Sequence, residues 1–175
     1  VKIPDGVDDI DASFVTVGAI ALQGVRQTAP LLGEKVAVMG LGLLGQLTVQ
    51  LLKANGCKVI GSDIDPDKMA LAKKLGCDEV CHAGELISKA NEFTNGYGVD
   101  AVIIAASTSS NQPITDAAEI SRMRGRVVLV GMGGMDVSRN TYYKKELEIK
   151  LSMAYGPGRY DPEYEEKGID YPYDL

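Results

Sequence analysis

Three glycines, Gly40, Gly42 and Gly45, stand two and three positions apart in the stretch VMGLGLLGQ, and an acid, Asp63, follows eighteen residues after the last of them. This pattern can hold a pyrophosphate and the sugar beside it. A glycine at the first position permits a sharp turn off a strand. One at the second lets a phosphate approach bare backbone beside Leu41. One at the third lets the following helix lie close to the strand. The amides of Leu43 and Leu44 then face the phosphates from the positive end of the helix dipole. Spacing by itself is weak evidence, because glycine turns that only permit packing are common. The pattern gains weight from its setting: a buried strand before it, a helix after it and an acid ending the next strand.

A carboxylate at Asp63 can accept both hydroxyls of an adenosine ribose. It would repel the 2′-phosphate of NADP, and Ile64 beside it offers no cation to offset that, so NAD is favoured over NADP. Lys68 lies five residues further on, where an ammonium can reach the same ribose; the competing reading is a solvated surface lysine. FAD binders share the turn but usually carry it at a protein's own N-terminus. Methyltransferases want an acid just before the glycines, where this chain has Met39.

Other chemistry is sparse. The run CDEVCH at 77–82 holds two of the three cysteines and the only histidine. Zinc sites usually need four ligands at paired spacings, so Cys57, Cys77 and Cys81 read as small buried side chains and no metal ligand is assigned. His82 ends a strand and reads as structural or exposed. No residue is assigned as a catalytic acid, base or nucleophile.

The elements around these residues must set them at one edge of a sheet. Residues 36–39 form a wholly apolar run ending in glycine, as expected of a strand buried on both faces. A helix follows to Gly56, then a strand at 58–62. Asp65, Pro66 and Gly76 punctuate the next helix as cap, first position and stop. A strand at 79–82, a helix to 96, a strand at 100–105, a helix over 111–125 and a strand at 126–130 continue the alternation. Residues 147–154 alternate apolar and polar, which suits an edge strand. Ahead of all this, an early helix begins with Asp11 as cap and repeats Phe14, Val17, Ala21 and Val25 at helical spacing. The expectation is α/β: a doubly wound, parallel, six-stranded sheet, the Rossmann fold, with the ligand where strand order reverses at Gly40.

Bulk properties exclude several classes. The chain has 175 residues, 45% of them apolar, and a net charge of −6 with no basic block, which argues against a nucleic-acid surface. No apolar run is long enough to cross a bilayer. The start, VKIPDGVDDID, shows no signal peptide and opens mid-phrase, so the chain is expected to be a piece of a longer protein. Three sparse cysteines suit a reducing cytoplasm. Residues 156–175 carry six acids against two basic residues, and residues 155–175 hold five of the eight tyrosines and three of the seven prolines. That composition makes no core alone and reads as an acidic arm or linker.

With these residues on the page, the sequence resembles the medium-chain dehydrogenase/reductase family, the zinc-type alcohol dehydrogenases and their relatives, over about residues 5–155. The resemblance rests on VAVMGLGLLGQLTVQLLKANGCKVIGSDIDPDKMALAKKLGCDEV, GVDAVIIAAS and GRVVLVGM in that order. It implies a two-domain parent enzyme. Residues 1–30 would lead in from a GroES-like catalytic domain and residues 31–155 would bind NAD. It implies that residues 40–45, Asp63 and Lys68 line the adenosine and pyrophosphate site. Ala106 and Ser107 would border the adenine-side ribose and the nicotinamide, while Gly131, Met132 and residues 153–155 would offer backbone to the carboxamide. It also implies a homodimer paired through the last strand, and an alcohol or carbonyl substrate.

The sequence departs from that family where zinc would sit. The remaining zinc ligand, often Cys or Glu, would fall at Thr16, a poor ligand, so zinc in the parent stays open; Ile20 replaces a frequent nicotinamide-side threonine. The tail SMAYGPGRYDPEYEEKGIDYPYD resembles the junction of bacterial bi-domain oxidoreductases, in which a second part of the Gfo/Idh/MocA type follows and sugar derivatives are the implied substrates. Two alternatives stay beside the dehydrogenase reading. One is a regulatory NAD-sensing module. The other is a zinc-free quinone reductase relative, against which Asp63 speaks because those usually prefer NADPH. On all of these readings the 175 residues bind a cofactor and carry out no chemistry alone.

Overall fold

A computed structural model describes residues 2–169. Its centre is one six-stranded sheet, all parallel, in the order β3-β2-β1-β4-β5-β6. The strands are β1 (Lys35–Met39), β2 (Lys58–Asp63), β3 (Glu79–His82), β4 (Val99–Ile104), β5 (Ser121–Leu129) and β6 (Glu148–Leu151). The helices are α1 (Asp9–Ser13), α2 (Val15–Thr28), α3 (Leu43–Ala54), α4 (Pro66–Lys74), α5 (Leu86–Thr94), α6 (Gln112–Ile120), α7 (Arg139–Lys145) and α8 (Pro162–Glu165).

The apolar runs of the central strands divide between two cores. Val36 and Val38 point to one face, where α2, α3 and α4 contribute Val25, Val49, Leu52 and Ala72. Ala37 and Met39 point to the other, where α5, α6 and α7 contribute Leu86, Ile114, Ala117 and Tyr142. Alternate side chains of one strand therefore bury on opposite sides, which is why no polar residue interrupts the run. Each residue of this size buried in full contributes roughly 1.5–3 kcal/mol. Order reverses between β1 and β4, so the carboxyl ends of those strands part and leave a crevice.

The amino ends are closed instead. Arg126 pairs with Glu34 at 2.5 Å and Arg122 with Asp100 at 2.6 Å. Asp100 also accepts from the Lys35 amide at 2.8 Å, and Arg126 donates to the Ala29 carbonyl at 2.9 Å. These groups tie the loop before β1 to the starts of β4 and β5.

Several boundaries differ from the sequence reading. The early helix is broken at Phe14, and its cap is Asp8, whose carboxylate accepts from the Asp11 amide; Asp11 itself lies inside α1. The helix expected over 111–125 ends at Ile120. Residues 121–124 belong to β5, where Ser121 pairs with Val99 and a bulge with Arg124 at φ 57° precedes the pairing of Arg126 with Ala101. The Arg122 guanidinium anchors that bulge to Asp100. α7 was not expected, and β6 is shorter than 147–154, so residues 153–155 lie beyond the strand. α3 begins before Gly45, at Leu43.

Beyond β6 the chain turns back. A Cβ on Gly156, at φ 119°, would meet Gln23 of α2 at 3.2 Å. Tyr155 and Arg159 both donate to Glu165, and the Arg159 guanidinium lies 4.2 Å from the Tyr160 ring centroid. The acids and tyrosines read at 170–175 lie outside the described residues.

Candidate functional site

The crevice at the carboxyl ends of β1 and β4 gathers most of the residues singled out from sequence. β1 ends at Met39, whose carbonyl accepts from the amides of Ala105 and Ala106 at 2.8 and 2.9 Å. Gly40 follows at φ 92°, a left-handed conformation, and a Cβ on it would stand 2.5 Å from the Ala106 nitrogen. A Cβ on Gly45 would stand 1.9 Å from the Gly40 carbonyl oxygen. Packing within the protein demands glycine at both places.

Gly42 is different. It caps α3 at φ −68° and ψ −167°, extended backbone that any residue adopts, and a Cβ there meets nothing within 4 Å. Nothing in the fold requires glycine at this position. A ligand that lies against the backbone does, so the residues present fit a pyrophosphate. The first bond of α3 runs from the Gln46 amide to the Gly42 carbonyl at 2.9 Å. The amides of Leu43, Leu44 and Gly45 precede it and have no partner inside the helix, which leaves donors at the positive end of the dipole.

Asp63 ends β2 beside this turn. One carboxylate oxygen accepts from the Leu41 amide at 2.7 Å and the other from the Asp65 amide at 3.0 Å. The acid thus holds the turn. Each oxygen keeps a further lone pair for a hydroxyl. Ile64 is exposed. Lys68 sits in the first turn of α4 with its ammonium 3.5 Å from Asp65, whose carboxyl is held below its ordinary value first by the Asp67 amide and then by Lys68.

Past β4 and β5 the chain forms two loops, at 105–111 and 130–138. A Cβ on Gly131 would stand 2.2 Å from the Ala106 oxygen, so those two residues touch backbone to backbone. The Gly131 amide is already committed to the Ile104 carbonyl at 3.0 Å, and the Met132 carbonyl accepts from Thr108 at 2.8 Å. Ser107 and Met132 are exposed. Thr16 and Ile20 lie on the early turns of α2. Residues 153–155 lie beyond the end of β6.

Two residues that sequence reasoning passed over hold these parts. Gln46 is buried and donates from Nε2 to the carbonyls of Leu41 and Lys68, both at 2.8 Å. Asn111 opens α6 yet does not cap it; its Oδ1 accepts from the Asp136 amide at 3.0 Å and joins the second loop to the first. The signals were a glutamine directly after the third glycine and an asparagine before a proline-led helix.

The cysteines are buried and unbridged. Burial pushes the thiols of Cys77 and Cys81 up to about 11, so both stay protonated at neutral pH. Among the described residues no three of His, Cys, Asp and Glu converge to hold a metal ion, and these residues do not make a zinc site by themselves. No helix among them is long and apolar enough to cross a membrane.

Comparison with known proteins meets this geometry. The family model of zinc-binding dehydrogenases matches residues 44–167. An alcohol dehydrogenase of Rhizobium meliloti (strain 1021) is 35% identical over 123 residues, covering 69% of this chain and 35% of that protein. The alcohol dehydrogenase of the archaeon Aeropyrum pernix superposes with a TM-score of 0.78 at 26% identity, over 88% of this chain and 47% of that one. A protein of Sinorhizobium meliloti 1021 solved with NADP superposes equally well, at 0.78 and 26%, over 87% and 47%. The chain therefore spans about a third of that curated relative and under half of those solved chains.

Proposed function

The chain belongs to the zinc-binding dehydrogenase family, and from that premise we propose that it is the NAD(H)-binding domain of an alcohol or polyol dehydrogenase-like oxidoreductase. The observation that carries the reading is Gly42, a glycine the fold does not need at the mouth of a helix. On this reading the parent enzyme moves hydride between the nicotinamide and an alcohol or carbonyl carbon. The cofactor supplies the hydride chemistry when bound, and this chain supplies position and electrostatics.

The work divides along the crevice. The amides from Gly42 to Gly45 take the pyrophosphate, and Gly40 and Leu41 shape the turn. Asp63 takes the adenosine ribose, with Lys68 beside it and Ile64 leaving the edge uncharged. Ala106, Ser107, Gly131 and Met132 border the nicotinamide half. Since the Gly131 amide is committed to Ile104, its contribution there is the carbonyl and the close approach it permits.

Asp63 supports NAD over NADP: a 2′-phosphate would meet a carboxylate already tied to the turn. Residues 1–30 lead in from a catalytic domain that holds the groups acting on substrate, zinc among them if the parent uses it. Residues 31–155 form the NAD-binding body and 156–175 an arm. The arm's resemblance to bi-domain oxidoreductases favours a sugar-derived substrate and a following Gfo/Idh/MocA-type part. The free edge of β6 suits pairing of two copies, and unbridged cysteines suit the cytoplasm.

Calorimetric titration of the chain with NADH and NADPH tests this. NADH is expected to bind more tightly. In Asp63→Ser the NADH affinity should fall about tenfold or more while NADPH affinity changes little. Equal losses for both cofactors would sink this account of the acid.

A further inference from the structure

We propose that Gln46 is a positioning residue for the pyrophosphate turn, aiming the Gly42 amide outward before any ligand arrives. This rests on the dinucleotide reading of the site and adds a residue to it.

Leu41 is held by its side chain, its amide and its carbonyl. Its side chain is buried in full beneath the turn, its amide is taken by Asp63 at 2.7 Å, and its carbonyl is taken by Gln46 Nε2 at 2.8 Å. The second hydrogen of the same Nε2 goes to the Lys68 carbonyl, also at 2.8 Å. Both partners are carbonyls and can only accept, so the orientation of the amide is fixed.

The Leu41 carbonyl and the Gly42 amide belong to one planar trans peptide, in which C=O and N–H point in opposite directions. Drawing the carbonyl inward to Gln46 turns the Gly42 N–H outward. A Cβ on Gly42 would meet nothing within 4 Å, so the protein leaves space beside this peptide.

The other end of Gln46 argues against a merely stabilising role. Its Oε1 is buried with no partner among the described residues. An orphaned buried acceptor carries a desolvation penalty that offsets what the two donated bonds contribute. A methionine of similar length would fill the space with neither the bonds nor the orphan. It would not hold the Leu41 peptide.

Gln46→Met is therefore expected to melt within about 3 °C of wild type. In the ligand-free variant the Leu41 amide, which is bonded to Asp63, should exchange with solvent about tenfold faster, while the Val102 amide in the sheet centre is unmoved. The dissociation constant for NADH should rise about tenfold and that for adenosine, which lacks phosphate, should stay within about twofold. Unchanged exchange at Leu41, or equal weakening of NADH and adenosine, would overturn the proposal. Wild-type chain that binds neither ligand would remove the dinucleotide reading, and the exchange measurement would still decide whether Gln46 holds the turn. Should the variant fail to fold, the Gln46 side-chain amide protons of the wild type decide it: slow exchange supports the brace and fast exchange refutes it.

Discussion

The two halves of the carboxyl edge are built differently. Around β1 and β2 the chain is fixed by buried groups: Leu41 is pinned by Asp63 and Gln46, and Gln46 reaches on to α4. Around β4 and β5 two loops are laced by surface bonds, Thr108 to Met132, Gly134 to Ser110 and Asp136 to Asn111. Methionines 132 and 135 stand exposed there beside two glycines. On the proposed function, the first half is shaped in advance for a pyrophosphate, and the more exposed second half suits the end of a cofactor that must meet a substrate.

A pair of substitutions tests the first half most severely. Gly45→Ala drives a Cβ to within 1.9 Å of the Gly40 oxygen. It should cost about 3 kcal/mol and lower the melting temperature by about 10 °C. Gly42→Ala, three residues away, should change stability by under about 1 kcal/mol yet weaken NADH binding about 100-fold. Thermal melts and calorimetry on both proteins read the contrast directly. If Gly42→Ala binds NADH normally, the turn does not hold the pyrophosphate.

Alkaline pH separates the halves more gently. Cys77 precedes β3 and Cys81 lies within it, and burial raises their thiols from 9.0 to about 11. Tyr142, behind β5, is raised by burial from 10.0 to about 12. In each case the folded state keeps the proton longer than the unfolded state. The stability these groups contribute is complete below the unfolded value and declines as pH rises through the window. Denaturant unfolding between pH 8 and 11 should show a loss beginning near 9, and exchange should locate it first around β3. A flat profile across that range would contradict the burial of the thiols.

The second half yields the smallest effect. Asn111→Ala removes the side-chain bond between the 130–138 and 105–111 loops and leaves their backbone bonds in place. NADH affinity should fall about fivefold while ADP-ribose, which lacks the nicotinamide, stays within about twofold. Equal losses would mean that Asn111 serves the whole fold and not this half.

This contrast also explains what could be read from sequence. A glycine turn, an apolar strand and an acid at the next strand's end are local instructions, since each acts through its own backbone. They yielded the parallel six-stranded fold and the point at Gly40 where strand order reverses. Gln46 and Asn111 act on residues 22 and 25 positions away, and neither shows a pattern along the chain. The bulge at 122–125 escaped for the same reason. SRMRG continues a helical spacing, and the acids Asp100 and Glu34, distant in sequence, hold Arg122 outside it. At Phe14 the early helix breaks although apolar spacing runs through the break.

The closed amino edge bears on how long the molecule lasts once folded. Arg126 and Glu34 are 92 residues apart in sequence, and Lys35 and Asp100 are 65 apart. Such contacts form only after the crossovers that bring β1, β4 and β5 side by side. Interactions made after the folding barrier leave the rate of folding alone and slow the return to the unfolded chain. The charged clasp at the foot of the sheet is thus expected to slow unfolding more than it speeds folding, which the unfolding rate of Arg126→Met would check.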